Sequence, residues 1–393
     1  MHVSFPASVR ALAICSLIFL LLLTGAAVSG CASELSLEKS VGGASWKRSE
    51  KGDFAKVEIL YATDRAKRDV STPELYFGGD RKPASATLSL GTVIVAIPRD
   101  HRMASLESPA WWRLELTGDP GKHVTVVELK ELGNDHFQST LQRLANQSDD
   151  GHLLIFIHGF NVSFDEAARR LGQITYDLGF AGAPLLFSWA SKGGISNYVA
   201  DSNSIETATD DYSNILKQVS SDFSVKRITI VAHSMGNRLL MALLQDISKF
   251  ENSTRSKFKE IIFAAPDIDS QIFCQRVPAA LKTMNATGTL YASSNDLAIQ
   301  ISEKVSSFPR AGATTDGVLT SPNIISIDAS ATNTSLIGHS YYADSVSVIS
   351  DLMESIKGVT PRLRTGLSPS TVRHRDACSE GGESWILKDR LAR

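Results

Sequence analysis

Six short apolar runs, separated by segments of helical pattern, constrain the fold of this chain more than any other feature. They lie between residues 151 and 328 and read LLIFIH, PLLFSWA, RITIVAH, EIIFAA, GTLYAS and NIISID. Each run is apolar at successive positions, which is typical of strands whose two faces are both covered by helices. Because strands that alternate with helices form β-α-β units, we expect an α/β fold with a mostly parallel, doubly wound sheet.

Helix boundaries support the same division of the chain. After the first run, Ser163 and Glu166 have the spacing of a capping box, and Gly179 is a typical helix stop. Further helices are predicted over DSNSIETATDDYSNILKQVSSD and ADSVSVISDLMESIKG. Residues 151–358 therefore form the predicted core.

Two regions next to this core have a different character. Residues 54–150 contain short β-rich runs separated by Gly, Pro and Asp, which predict an antiparallel N-terminal extension. These runs read KVEILYATDR, GTVIVAIPRD, WWRLELTG and HVTVVELKEL. Residues 359–393 are rich in Ser, Pro and Arg and predict a weakly ordered tail, with a short helix near SWILKDRLA.

The first 30 residues have the layout of an export signal. A positive end precedes the apolar run ALAICSLIFLLLL, and small residues then lead to Cys31. The stretch VSGC resembles a bacterial lipobox, which implies that Cys31 is acylated and that residues 31–53 form a membrane tether. Ala32, rather than an Asp, follows the cysteine and favours the outer membrane, with the folded part facing the periplasm. An uncleaved anchor and a soluble exported protein are the alternatives.

Charge and cysteine content exclude several other classes of protein. The 40 basic and 42 acidic residues give a formal net charge of −2, so nucleic-acid binding is not expected. The sequence has no zinc-site spacing and no phosphate-binding loop, so neither a metal nor a cofactor is expected. Cys274 and Cys378 could pair in an oxidising compartment, but no motif supports a disulfide and we expect both to be unpaired.

The third apolar run ends at a serine that is a candidate nucleophile. The five residues Ala232, His233, Ser234, Met235 and Gly236 form the pattern small-x-Ser-x-Gly at a predicted strand-to-helix turn. Small residues on either side of the serine let the chain turn sharply enough to expose the hydroxyl, although Ala replaces the first Gly of the strict pattern. The alternative interpretation is that Ser234 is only a helix N-cap.

A serine nucleophile needs a base and a group that orients the base. His339 follows the last apolar run and precedes the last predicted helix, so it is the candidate base. Asp296 follows GTLYAS and is the favoured acid, whereas Asp267 follows EIIFAA and is the alternative. The chain order of serine, acid and histidine is that of α/β-hydrolases.

With these motifs, residues 151–358 resemble an α/β-hydrolase. More narrowly, HGFN, FSWAS, AHSMGN and a late HSYY resemble an uncharacterised bacterial branch, as do YATDR and GTVIVAIPRDH in the extension. The resemblance implies a serine hydrolase without implying a substrate. It also implies an oxyanion hole formed by the backbone amides of Phe160 and Met235. Gly159 would allow a close approach, and His158 would shape the loop rather than act as a base.

These features predict an exported, lipid-anchored serine hydrolase that cleaves small-molecule or lipid esters through an acyl-enzyme. An amidase, peptidase or acyltransferase would use the same triad, and a non-catalytic envelope protein could keep the same fold. Trp189, Tyr198 and Asp201 follow the second apolar run and lie either at the pocket rim or in ordinary packing at the strand end. The oligomeric state, the acyl-chain length and the presence of a lid are left open.

Overall fold

A large, mostly parallel β-sheet runs through the part of the chain that the computed structural model describes. The described residues are 45–49, 52–109, 115, 117–315, 317–332, 344–370, 378 and 382–389, and all belong to one compact unit within Glu38–Arg393. In chain order the strands are β1 (Ser45–Ser49), β2 (Gly52–Thr63), β3 (Arg65–Lys67), β4 (Phe77–Arg81), β5 (Ser89–Pro98), β6 (Thr125–Glu131), β7 (His152–Ile157), β8 (Ala183–Ser188), β9 (Arg227–His233), β10 (Phe258–Ala264), β11 (Thr287–Ala292), β12 (Ile324–Asp328), β13 (Leu367–Pro369) and β14 (Ser384–Leu387).

Helices connect most of these strands. They are α1 (Asn134–Ala145), α2 (Phe164–Asp177), α3 (Tyr198–Ser221), α4 (Gly236–Ile247), α5 (Asn252–Arg255), α6 (Ser270–Met284), α7 (Leu297–Ser306) and α8 (Val346–Ile356). As predicted, α2 begins with a capping box: Ser163 Oγ accepts from the N–H of Glu166 at 3.1 Å, and Glu166 Oε2 accepts from the N–H of Ser163 at 2.8 Å. Gly179, just beyond the helix, has a φ of 55°, which suits a residue without a Cβ atom.

The sheet order among the described residues is β13-β14-β12-β11-β10-β9-β7-β8-β2-β5-β6, with β1 also paired to β2. The run from β14 to β2 is parallel throughout, and antiparallel strands occur only at its two margins. Strands β3 and β4 form a separate antiparallel pair. The prediction of a mostly parallel sheet is therefore confirmed.

Helices pack against both faces of the sheet, as the apolar runs predicted. On β7, Ile155 and Ile157 belong to one buried cluster and Leu154 and Phe156 to the other. The first cluster contains side chains of α1, α3, α4 and α6, and the second contains side chains of α2, α7 and α8. Because successive side chains of a strand point to opposite faces, a strand covered on both sides must be apolar at every position.

The N-terminal extension joins the main sheet, but it is not antiparallel throughout. Strand β2 pairs in parallel with β8 and antiparallel with β5, so β2 belongs to the parallel run, whereas β5 and β6 are antiparallel as predicted. Residues 45–49, assigned to the tether, instead form β1. The strand predicted over WWRLELTG falls mostly outside the described residues. The sequence 54–150 therefore supplies structural strands of the main sheet.

The C-terminal tail also differs from its prediction. Residues 384–387, predicted as part of a short helix, are strand β14, which pairs in parallel with β12. Trp385 and Leu387 are buried in the same cluster as α8. The edge of β12 offers backbone partners and an apolar surface, which a short isolated helix would not have.

A disulfide joins Cys274 in α6 to Cys378, so the prediction of unpaired cysteines is wrong. The two Cα atoms are 4.5 Å apart although 104 positions separate the residues in sequence. No local motif marks such a pair, because only the tertiary fold brings α6 and the tail together.

Candidate active site

Ser234 lies in a sharp turn between the end of β9 and the start of α4. Its φ of 50° is in the left-handed region, which costs a non-glycine residue about 1–3 kcal/mol and is concentrated at functional sites. The N-cap of α4 is Met235, and that helix start has no side-chain capping hydrogen bond. Helix capping by Ser234 therefore does not explain why a serine occupies this strained position.

Two glycines let this turn lie directly against the end of β7. A Cβ atom on Gly236 would lie 2.3 Å from the carbonyl oxygen of His158, closer than real Cβ contacts. A Cβ atom on Gly159 would lie 2.9 Å from the Cβ atom of Ser234. A side chain at either position would push the loop after β7 away from Ser234.

Asn237 stabilises the strained turn from inside the protein. Its side-chain Nδ2 donates to the carbonyl oxygens of Ala232 and Ser234, each at 3.0 Å, and to that of Ala264 at 3.4 Å. The N–H of Ser234 donates to the same Ala264 oxygen at 2.9 Å. These hydrogen bonds tie the turn to the end of the neighbouring strand β10, which offsets part of the backbone strain.

The two amides expected to form the oxyanion hole belong to residues next to this turn. Met235 follows Ser234 at the start of α4, where the helix dipole is positive. Phe160 follows Gly159, whose backbone packs against Ser234. Among the described residues, no backbone hydrogen bond engages the N–H of Phe160 or of Met235. Both amides can therefore donate to a ligand.

His158 is a buried, neutral side chain that shapes the loop after β7. Its ring stacks on Trp189 with centroids 5.0 Å apart, and Trp189 Nε1 donates to the His158 carbonyl oxygen at 2.8 Å. Burial, together with the positive charge of Arg65, lowers the pKa of His158 to about 3. Nδ1 lies 2.8 Å from the carbonyl oxygen of Gly159, which can only accept, so Nδ1 carries the proton. Nε2 lies 3.2 Å from both Arg65 Nη2 and the carbonyl oxygen of Trp189; with the proton on Nδ1, where the contact is shorter, Nε2 accepts from Arg65.

Asp267 uses both carboxylate oxygens in a polar cluster. Oδ2 accepts from Tyr198 Oη at 2.6 Å and from Arg238 Nη2 at 3.1 Å. Oδ1 accepts from Ser302 Oγ at 2.5 Å and lies 3.3 Å from Arg310 Nε. The carboxylate of the alternative acid is thus held by two cations and two hydroxyl groups.

Asp296, the favoured acid, is fully buried between β11 and α7. Its Oδ1 accepts from the N–H of Ile299 at 3.0 Å and so caps α7. Because β9, β10 and β11 are adjacent and parallel, Ser234, Asp267 and Asp296 all lie at the carboxyl edge of the sheet. His339, the candidate base, lies outside the described residues.

The three residues discussed for the pocket rim occupy different environments. Trp189 and Asp201 are fully buried, as expected for the alternative of packing at the strand end rather than for the pocket rim. Asp201 accepts from Ser191 Oγ at 2.5 Å, so it holds the loop after β8 from the interior. Tyr198 is half-buried, and its ring centroid lies 5.5 Å from that of Phe160. Of the three, only Tyr198 has the partial exposure that a rim residue needs.

The Asp-Arg pair of YATDR, for which the sequence suggested no role, is buried near this edge. Asp64 and Arg65 are 4 % and 1 % exposed. Burial raises the pKa of Asp64 to about 6, against the opposing effect of Arg65, and lowers the pKa of Arg65 to about 10. Both groups are therefore charged at pH 7 to 8. A charged pair directly after an apolar strand could have marked these residues as functional candidates. Most of the residues that they contact are remote in sequence, so the contacts could not be predicted.

The described residues show neither a candidate metal centre nor a membrane-spanning segment. No group of His, Cys, Asp and Glu among them could hold a metal ion. None of the helices in the described ranges is long and apolar enough to cross a membrane. The predicted export signal and Cys31 lie outside the described residues.

Residues 133–355 match the model of a known family, described as "Alpha/beta hydrolase of unknown function (DUF900)". Among solved structures, a lipase-esterase related protein from Clostridium acetobutylicum ATCC 824 is similar at 12% identity and a TM-score of 0.29. That similarity covers 53% of this chain and 94% of the other. No curated protein matches the sequence.

Proposed function

Because the chain belongs to the family of alpha/beta hydrolases of unknown function, we propose that it is a serine hydrolase that cleaves carboxylic esters. The observation that carries this proposal is the strained Ser234, packed at the end of β9 against Gly159 and Gly236. Helix capping does not account for a strained serine at this position, and neither neighbouring amide has a backbone hydrogen-bond partner in the part of the chain that is described. The strained turn does present a hydroxyl group next to donors for an oxyanion.

The proposed mechanism needs no group beyond the protein and water. Ser234 Oγ attacks the ester carbonyl carbon while His339 accepts the hydroxyl proton, and Asp296 orients the imidazole. The N–H groups of Phe160 and Met235 donate to the negative oxygen of the tetrahedral intermediate. The intermediate collapses as His339 protonates the departing alcohol. Water, deprotonated by His339, then attacks the acyl-enzyme carbonyl carbon, and His339 returns the proton to Ser234 Oγ as the bond to the acyl group breaks and the carboxylic acid leaves.

The same groups could cleave amides or transfer the acyl group, so the leaving group is the point to test. Purified protein should react with a fluorophosphonate probe and hydrolyse short p-nitrophenyl esters faster than the matching anilides. Faster anilide cleavage would favour an amidase. A folded protein that reacts with neither the probe nor the esters would favour a non-catalytic envelope protein.

Substituting each of the two candidate acids by asparagine should show which of them orients His339. Asp296→Asn is expected to lower kcat by about 10⁴-fold, because an amide would present the wrong hydrogen-bonding group to His339. Asp267→Asn is expected to leave most of kcat but to lower the melting temperature, because Arg238 and Arg310 would lose their shared carboxylate. Ester kinetics and thermal unfolding of both variants check this. The opposite pattern would assign the acid to Asp267.

Export and lipid anchoring at Cys31 form a separate part of the proposal. The disulfide between Cys274 and Cys378 supports export, because disulfides persist mainly in oxidising compartments. A single acyl chain binds membranes only marginally, so a stable anchor at Cys31 requires more than one chain. The lipobox resemblance and Ala32 together favour the outer membrane, with the folded part facing the periplasm.

Radioactive palmitate should label the wild type but not Cys31→Ser, and the variant should accumulate as an unprocessed precursor. Cys15→Ser, which changes the other cysteine of the N-terminal region, is the matched control and should be labelled normally. A wild type that stays in the membrane fraction without label would instead indicate an uncleaved anchor.

A further inference from the structure

We propose that Arg65 and His158 are positioning residues that orient the Gly159–Phe160 peptide of the oxyanion hole. The inference rests on the proposed function, because orienting this peptide matters only if its N–H stabilises an oxyanion during ester hydrolysis. The positioning role follows from a continuous series of hydrogen bonds that begins at the Arg65 guanidinium group and ends at the Gly159–Phe160 peptide.

The three nitrogen atoms of the Arg65 guanidinium group donate hydrogen bonds to three parts of the chain. Its acceptors lie in the β3–β4 pair, in the loop after β7 and at the end of β8. They are Ser188 Oγ for Nε at 2.9 Å, the carbonyl oxygens of Gly78 and Ser191 for Nη1 at 3.1 and 3.4 Å, and Val162 O and His158 Nε2 for Nη2 at 2.6 and 3.2 Å. An apolar side chain could fill the same space without desolvating a charge, but it could not supply these directional donors.

His158 transmits this constraint to the oxyanion peptide. Arg65 can only donate, so His158 Nε2 accepts and the ring is held as the Nδ1–H tautomer. Nδ1–H then donates to the carbonyl oxygen of Gly159 at 2.8 Å. That oxygen and the N–H of Phe160 belong to one planar trans peptide and point in opposite directions. Fixing the Gly159 oxygen on His158 therefore fixes the direction of the Phe160 N–H.

The sheet topology explains how Arg65 reaches a loop more than 90 positions away. Strand β2 is parallel to β8, so its end lies at the same sheet edge as the loops after β7 and β8. Thr63, the last residue of β2, donates from Oγ1 to the carbonyl oxygen of Ser188 at 2.6 Å. Arg65 follows two residues later and is only 1 % exposed. The N-terminal region thus supplies a buried support for the site.

Two substitutions of His158 separate positioning from simple packing. In His158→Asn the amide nitrogen takes the place of Nδ1 and can still donate to the Gly159 oxygen. In His158→Gln the amide takes the place of Nε2 and keeps only the contact with Arg65. His152→Gln is the matched control, because His152 is also a buried histidine and lies at the other end of β7, where its Nε2 is 3.0 Å from Thr229 Oγ1.

With a p-nitrophenyl ester, His158→Gln should lower kcat by about 10²-fold at unchanged KM, which is the typical effect of losing one oxyanion donor. His158→Asn should keep most of kcat, and His152→Gln should keep all of it. Rates of fluorophosphonate labelling should follow the same order, because the phosphonylated serine also places an oxygen in the hole. Equal losses of kcat in the three variants, or in the Asn and Gln variants of His158, would overturn the positioning role.

Arg65→Lys tests the first step of the series. Lysine keeps the charge but carries its donors on one nitrogen, so it cannot join three segments, and kcat should again fall by about 10²-fold. Arg364→Lys is the control, because Arg364 is also buried but, among the described residues, pairs with Asp351 of α8 and donates to Val359 O rather than to the loops after β7 and β8. If Arg65→Lys does not fold, the variants of His158 decide the outcome.

These results distinguish the positioning role from the function on which it rests. A wild type without ester hydrolysis or probe labelling would overturn the proposed function and the positioning role together. An active wild type, with wild-type kcat in folded Arg65→Lys and His158→Gln, would overturn the positioning role alone.

Discussion

Ser234→Ala is expected to abolish ester hydrolysis, with a loss in kcat of roughly 10⁶-fold, as in serine hydrolases that lose the nucleophile. The fold should be retained, because alanine lacks only the hydroxyl oxygen and adopts the same left-handed turn at a similar cost. The glycine contacts and the hydrogen bonds from Asn237 involve backbone atoms or the Cβ atom and should persist. Ester kinetics, fluorophosphonate labelling and thermal unfolding of the variant provide the measurement.

Ser326→Ala is the matched control for this substitution. Ser326 is fully buried in β12, and its Oγ has no hydrogen-bond partner among the described residues, so losing that hydroxyl should leave both activity and labelling intact. An active Ser234→Ala variant that still reacts with the probe would show that another residue is the nucleophile. Loss of activity in both serine variants would point to a general packing effect instead.

Removal of the disulfide is expected to have the largest effect on stability. In the chain-entropy model, a link that closes a loop of about 100 residues stabilises the folded state by about 4.7 kcal/mol. The link between Cys274 and Cys378 spans 104 positions, so Cys274→Ser with Cys378→Ser should lower the free energy of unfolding by about 4 kcal/mol. The loss arises mainly because the unlinked unfolded chain has more conformations.

Urea unfolding of the wild type with and without dithiothreitol tests the disulfide directly. Reduction should lower the stability of the wild type to that of the double serine variant, and it should have no effect on the variant itself. If dithiothreitol leaves the unfolding midpoint of the wild type unchanged, the two cysteines are not linked in solution.

Local patterns in the sequence were sufficient for most of the core. The runs that became β7 to β12 were recognisable because burial on both faces requires apolar residues at every position. The capping box at Ser163 and the small residues around Ser234 are also local, since each depends on residues within a few positions. These patterns can be recognised in the sequence because the residues that form them lie within a few positions of one another.

Other features depend on contacts between distant residues and were predicted wrongly, left open or missed. Strand β14 exists because β12 offers an open edge, and the disulfide exists because the tail returns to α6. The sequence left Trp189 and Asp201 either at the rim or in strand-end packing, and their burial is decided by contacts with residues remote in sequence or in the following loop. A sequence window of a few residues contains none of these partners.

The candidate active site shows the same division most clearly. The sequence pattern indicated Ser234 as a candidate nucleophile, because small residues flank it at a strand-to-helix turn, and the resemblance to α/β-hydrolases implied Phe160 as a candidate oxyanion donor. Only the tertiary structure disclosed that Arg65 contacts His158 in the loop that carries Phe160, since this contact depends on β2 pairing with β8. The apolar residue pattern of a strand depends on which of its faces are buried, and it can be read from the strand itself. Which residues contact the end of the strand depends on the order of strands in the sheet, which only the tertiary structure shows.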